Sequence, residues 1–141
     1  MKAELFDRLD DYRCIKNSEE VQEEMEAKGY EVIFPKDNEL QIDIDTEEEF
    51  ATFKTQFEML RNHTKETTFS YEIAESFSGL PHRHITVRHN YSKDFFKDQH
   101  KRIAYQAALG SDVKREMLNL LGHDLYDDAT PVLFIRKKAA V

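Results

Sequence analysis

Little in this chain is built for crosslinking, spanning a bilayer or blanketing polyanions. It has one cysteine, Cys14, so an internal disulfide and a cysteine-based zinc cluster are both excluded. Tryptophan is absent and there are only three prolines, and no proline- or glycine-rich linker divides the 141 residues. Positive charge is short: 20 Lys and Arg stand against 28 Asp and Glu, a net charge of −8. That balance argues against tight, non-specific nucleic-acid binding. No apolar run approaches the roughly 20 residues that a membrane-spanning helix needs. The first residues, Met-Lys-Ala-Glu-Leu-Phe-Asp, lack the apolar core of a signal peptide, and a cytoplasmic location is expected.

What the chain does have is a hydrophobic fraction of 40 %, rich in Phe and Tyr, enough to bury a core over one domain, residues 1–141. Residues 1–28 read as a helical segment. Leu5, Phe6, Leu9 and Tyr12 sit at helical spacing over 3–13. A second, very acidic helix runs from Asn17 or Ser18 to Lys28 and stops at Gly29. Over 30–138 the pattern alternates between period two and period 3.6. Tyr30–Phe34 and Glu39–Asp45 predict a hairpin. Thr46 and Glu49 form a capping box for a helix to about Asn62, with Phe50, Phe53, Phe57 and Leu60 inward. Thr67–Glu75 and His82–His89 predict a second hairpin across a Ser-Phe-Ser-Gly-Leu-Pro turn. Helices follow at Phe95–Leu109, with Ile103 and Ala107 inward, and at Ser111–Leu121, with Val113, Met117, Leu120 and Leu121 inward. Gly122 ends the latter, and Thr130–Lys137 is a last strand. All four glycines fall at these boundaries. The expectation is an α+β fold in ααββαββααβ order: a five-stranded, mostly antiparallel sheet with helices mainly on one face.

Such a sheet leaves its other face polar. In Glu39–Asp45, Leu40, Ile42 and Ile44 alternate with Gln41, Asp43 and Asp45, so the two aspartates share a side. Glu72, His84, Thr86 and Arg88 join them there by the same alternation. Two carboxylates about 7 Å apart on a strand repel unless a positive group lies between them, and a divalent metal ion is one such group. Solvated side chains, with Asp45 or Thr46 capping the next helix, are the plainer account of the same spacing. His82 and His84 also share a face, which suits a transition-metal ligand pair or ordinary surface histidines. Asp112 complements the dipole of the helix it opens, and it can pair with Arg115.

The combination of Asp43-Ile-Asp45, the Ser76-Phe-Ser-Gly79 turn and the His84 strand resembles the first two motifs of the archaeo-eukaryotic primase–polymerase superfamily. That resemblance implies a site in which Asp43 and Asp45 hold Mg²⁺ or Mn²⁺ and His84 contacts a phosphate. Ser76, Ser78, the Gly79 backbone and Arg88 would be its phosphate- or nucleotide-binding groups. The ligand would be a nucleotide or a nucleic-acid end. The family pattern also calls for a third carboxylate on a later strand, for which Asp127, Asp128 and Glu72 are the candidates. A second resemblance covers about Leu40 to Lys137. The run Arg102-Ile-Ala-Tyr-Gln-Ala-Ala-Leu-Gly-Ser-Asp-Val-Lys-Arg-Glu-Met-Leu118 and the strand Thr130-Pro-Val-Leu-Phe look like segments of small phage-encoded proteins of unassigned function. It implies a phage accessory protein acting in the host cytoplasm.

Two other functions fit the residues. The scaffold can be non-catalytic and bind a host or phage protein through its acidic helices. Arg83-His-Ile-Thr-Val also resembles the His-x-Thr strand of 2H phosphoesterases, although no second copy of that pattern occurs around the remaining histidines. The first and second functions separate on whether Asp43, Asp45 and His84 converge to within about 5–6 Å, close enough to share an ion and a phosphate.

Overall fold

The computed structural model describes residues 18–75, 79–126 and 134–137. The elements are α1 (Ser18–Ala27), β1 (Tyr30–Ile33), β2 (Glu39–Ile44), α2 (Glu47–Asn62), β3 (Phe69–Glu75), β4 (Arg83–His89), α3 (Gln99–Ala108), α4 (Val113–Tyr126) and β5 (Phe134–Lys137). The α+β class and the order of these elements agree with the alternation in the sequence. The helix expected over 3–13 lies outside the described residues. No helix among those described is long and apolar enough to cross a membrane.

The expected single five-stranded sheet is not what forms. β2, β4 and β3 make a three-stranded antiparallel sheet in that order, and β1 pairs separately with β5. The second expected hairpin is present, with Phe69 opposite His89 and Ile73 opposite Ile85. The first is not: β1 runs antiparallel to β5, with Tyr30 opposite Lys137, and never joins β2.

The reason lies on the outer edge of β2. Alternate residues of an edge strand turn their N–H and C=O groups away from the sheet. On β2 those groups belong to Glu39, Gln41 and Asp43. Glu39 N–H is taken by the Lys36 carbonyl in the preceding turn (3.0 Å), and other parts of the chain take all four of Gln41 and Asp43. Gln41 N–H donates to Gln106 Oε1 (2.9 Å), and the Gln41 carbonyl accepts from Arg115 Nη1 (3.0 Å). Asp43 N–H donates to Ser111 Oγ (3.1 Å), and the Asp43 carbonyl accepts from Asp112 N–H (3.0 Å). The α3–α4 corner therefore occupies the place a neighbouring strand would take. Gln41 Nε2 donates to the Ile33 carbonyl (2.8 Å) and so ties the end of β1 to β2.

Leu40, Ile42, Ile44, Ile85 and Val87 form the apolar face and are fully buried. Burying one such side chain is worth about 1.5–3 kcal/mol. α2 lies on this face. Thr46 Oγ1 caps it by accepting from Glu49 N–H (3.0 Å), and the Glu49 carboxylate reaches back to Asp45 N–H (3.1 Å). Phe53 and Phe57 then meet the Tyr71 ring edge-on at 5.1 and 4.7 Å. Phe96 and Leu109 flank the same core.

The two later helices depart from the expected pattern. α3 begins at Gln99, capped by Asp98, and Phe95 and Phe96 lie in the turn before it. α4 continues through Gly122 to Tyr126. Their inner faces are partly polar. Arg102 and Gln106 are buried where Ala107 was expected, and Glu116 is 3 % exposed while Val113 and Met117 are 67 and 45 % exposed. Arg102 donates to Gln99 Oε1 (3.0 Å) and to the Lys36 carbonyl (2.9 Å), while its buried Nε has no partner among the described residues. Gln106 and Glu116 satisfy each other. Gln106 Nε2 donates to both Glu116 oxygens (2.9 Å each), and Asn119 Nδ2 donates to Glu116 Oε1 (2.8 Å). Closing the edge of β2 takes hydrogen-bonding side chains, and these helices supply them.

At the far end of β4, His89 is buried against Phe95, with the rings stacked at 4.3 Å. Its Nδ1 accepts from Tyr91 N–H (3.2 Å) and Ser92 N–H (2.8 Å), so a second proton there would break both bonds. Burial, aided by the Lys101 charge, holds the His89 pKa below its usual value. The unfolded chain then binds more protons than the native one below about pH 6.5, and His89's contribution to stability is lost as pH falls through that range. In urea melts between pH 7 and 5, His89→Asn should show a shallower fall in stability than wild type, with a lower value at pH 7. An unchanged slope would show that His89 does not carry this dependence.

Candidate metal centre

Asp43 and Asp45 leave the polar face at the end of β2, and the register sets His84 directly opposite Asp43. His84 Nε2 lies 3.6 Å from Asp43 Oδ1. His82, just before β4, places Nδ1 3.1 Å from Asp45 Oδ1. Both histidines of the His-x-His pair therefore face the acidic pair, each against its own aspartate.

The third carboxylate comes from Asp112. One carboxylate oxygen from each of Asp43, Asp45 and Asp112 lies within 4.8 Å of the others. Asp112 stands immediately before α4, where its Oδ1 accepts from Lys114 N–H (3.2 Å) while its own N–H binds the Asp43 carbonyl. The corner that carries it turns at Gly110, whose φ of +87° suits glycine. A Cβ on Gly110 would also come within 3.3 Å of Thr52 Cγ2 on α2. Of the expected third carboxylates, Asp127 and Asp128 lie outside the described residues. Glu72 is engaged with Arg88 (3.1 Å), opposite Thr86 and not His84. The role read from the sequence for Asp112, complementing the helix dipole, agrees with its place at the start of α4, but it hid the proximity of Asp112 to Asp43 and Asp45. The available signal was the Gly110-Ser111-Asp112 corner with Arg115 one turn on.

The other expected groups divide. Gly79 sits in the turn before His82 at φ +78°, and its carbonyl accepts from His82 N–H (3.0 Å). Ser76 and Ser78 fall outside the described residues. Arg88 is four residues along β4 from His84, about 13 Å away at strand spacing. It is bound there to Glu39 (2.8 and 3.1 Å) and Glu72. The structure brings Asp43, Asp45, His84 and His82 together and leaves Arg88 apart.

Arg115 is largely buried and interacts electrostatically with its neighbour Glu116 and with Asp43, Asp112 and Asp45. Burial raises the Asp43 pKa, and the charges of Asp45, Asp112 and Glu49 raise it further against the pull of Arg115. His84 moves the other way, to about 4, first through burial and then through the Arg115 charge. It is a neutral imidazole at pH 7. The three carboxylates carry more negative charge than Arg115 offsets, since Glu116 also draws on that guanidinium, and a divalent cation would reduce the excess. The donors are hard oxygens, the class that Mg²⁺ and Mn²⁺ prefer. Oxygens on opposite sides of Mg²⁺ stand about 4.0–4.2 Å apart, so carboxylates within 4.8 Å of one another would share one such ion after moving closer by a few tenths of an ångström.

No protein-family model matches the chain, and no curated protein and no solved structure gives a significant match.

Three carboxylates this close cost stability when no cation joins them. Asn at position 112 keeps a capping oxygen for Lys114 N–H and removes one charge. In chelator at pH 7, Asp112→Asn should melt at or about 2–4 °C above wild type, a gain of about 1 kcal/mol. A fall of several degrees would mean that Arg115 needs the Asp112 charge more than Asp43 and Asp45 are relieved by its loss.

Proposed function

We propose that this chain is a phage-encoded accessory protein with a reduced primase-like site that binds or processes a nucleotide or nucleic-acid end through a divalent metal ion. The observation that supports it best is the convergence of Asp43, Asp45 and Asp112 with the neutral His84. Asp43, Asp45 and Asp112 would hold Mg²⁺ or Mn²⁺, which when bound offsets phosphate charge and orients the phosphoryl group. His84, 3.6 Å from Asp43, stands where a neutral imidazole can hydrogen-bond a phosphate oxygen without adding charge. The third carboxylate comes from a helix start, not from the later strand that the primase pattern calls for. Arg88 lies too far along the sheet to join it.

A second function draws on α1, where Glu19, Glu20, Glu23 and Glu26 form an exposed acidic row. That surface suits a basic host or phage protein on a scaffold without catalysis.

Melting wild type with Mn²⁺, and with Mn²⁺ plus a nucleoside triphosphate, tests the first function. A ligand at about 100 times its Kd adds about 2.7 kcal/mol. For a chain of this size that is about 6–10 °C. The rise should vanish in Asp43→Asn/Asp45→Asn. A flat wild-type response, with the double variant as stable or more so, would remove the metal site and leave the protein-binding function.

A further inference from the structure

β3 ends the three-stranded sheet on the side away from β2, and its edge is open where that of β2 is closed. The Thr68 carbonyl accepts from Asn90 N–H (2.8 Å), so Ser70, Glu72 and Ala74 turn their backbone groups to β4. Phe69, Tyr71, Ile73 and Glu75 turn theirs outward, and among the described residues nothing takes them. The side chains are open as well. Residues 70–74 are exposed on both faces of the strand, with Tyr71 at 37 % and Ile73 at 45 % on the apolar side. Helix α2 approaches β2 more closely than β3, which leaves this margin of the apolar face uncovered. Strand edges are ordinarily blunted by lysine, proline, a bulge or a very short strand. β3 is seven residues long, reads Phe-Ser-Tyr-Glu-Ile-Ala-Glu, and pairs with β4 one residue to one along its length, so it has none of these devices. The Glu72 carboxylate is held by Arg88 (3.1 Å).

We propose that the β3 edge is an interaction surface whose partner is the same edge of a second copy of this chain. The two strands run antiparallel about a two-fold axis and join two three-stranded sheets into one of six strands. A second copy fits because the strand complements itself. Outward-facing residues pair with outward-facing residues, which leaves registers centred on Tyr71, Glu72 or Ile73. Centring on Glu72 sets two carboxylates directly opposite each other, a destabilising pair. Centring on Ile73 sets Tyr71 opposite Glu75 and leaves Phe69 outside the ladder. Centring on Tyr71 sets that residue opposite its own counterpart, Phe69 opposite Ile73 and Ser70 opposite Glu72. Apolar then meets apolar, and the carboxylate meets a hydroxyl. The axis stands perpendicular to the sheet, so the uncovered margins of the two apolar faces become one surface. Each copy carries a net charge of −8, so salt should strengthen the pairing by screening that repulsion.

The test is sedimentation velocity of the full chain from about 1 to 200 µM in 0.15 M salt. Wild type should pass from monomer to dimer with a dissociation constant of the order of 10 µM, as suits a small interface. Ile73→Lys puts a charge on the exposed margin, and Ile73→Pro removes an outward N–H that β4 does not use. Each should raise the dissociation constant about tenfold or more, with the circular dichroism of the monomer unchanged. The register is checked in a Cys14→Ser background. Ser70→Cys/Glu72→Cys should give a covalent dimer on oxidation, because those positions face each other across the axis at disulfide distance. Either substitution alone should not. Wild type that stays monomeric to about 200 µM would overturn the proposal and leave the edge to a strand of a different protein. A dimer that both Ile73 variants leave intact would overturn it too, by placing the contact elsewhere on the molecule.

Discussion

Much of the structure depends on how the outer edge of β2 is closed. A buried strand edge with unpaired N–H and C=O groups costs about 1–3 kcal/mol for each group left without a partner. Most sheets meet that need with another strand. Here two helices and the corner between them meet it, with Gln106 and Ser111 accepting and Arg115 and the Asp112 amide donating. Three consequences follow from the choice. β1 is left to pair with β5. α3 and α4 must bury polar side chains on their inner faces. A carboxylate from the start of α4 is brought beside two from β2.

The electrostatics of the polar face follow from the same contact. Arg115 donates to the Gln41 carbonyl from a largely buried position, where burial disfavours its charge and Glu116, Asp43, Asp112 and Asp45 compensate. Its guanidinium then helps keep His84 neutral, and it moderates the rise in the Asp43 pKa. The charge that stabilises the edge and the charge that tunes the cluster are one group. At the opposite end of the sheet, Arg88 is held by Glu39 and Glu72, and that part of the polar face is a closed ion-pair network.

Local pattern made much of this legible. Strict alternation placed Asp43, His84, Thr86 and Arg88 on one side of the sheet, because a strand's period of two leaves no other arrangement once Leu40, Ile42 and Ile44 are buried. The Thr46–Glu49 cap, the Phe53 and Phe57 face and the β3–β4 hairpin were equally readable, since each depends on neighbours within a few residues or one turn. The helix faces of α3 and α4 misled for a definite reason. Apolar spacing assumes an apolar surface opposite, and these helices face a strand edge, where Arg102, Gln106 and Glu116 are the residues that bury.

By itself, then, the sequence determined which residues form strands and helices and which side chains share a face, because those follow from periods of 2 and 3.6. It also determined that the acidic pair and a histidine occupy one polar surface. The tertiary structure alone decided that β1 leaves β2, that Asp112 comes beside Asp43 and Asp45 and that Arg115 interacts with all three. Those depend on hydrogen bonds between residues 65 to 74 positions apart, from Gln41 and Asp43 to Gln106, Ser111 and Arg115. No local period encodes them. They form because an unfilled strand edge is too costly to bury.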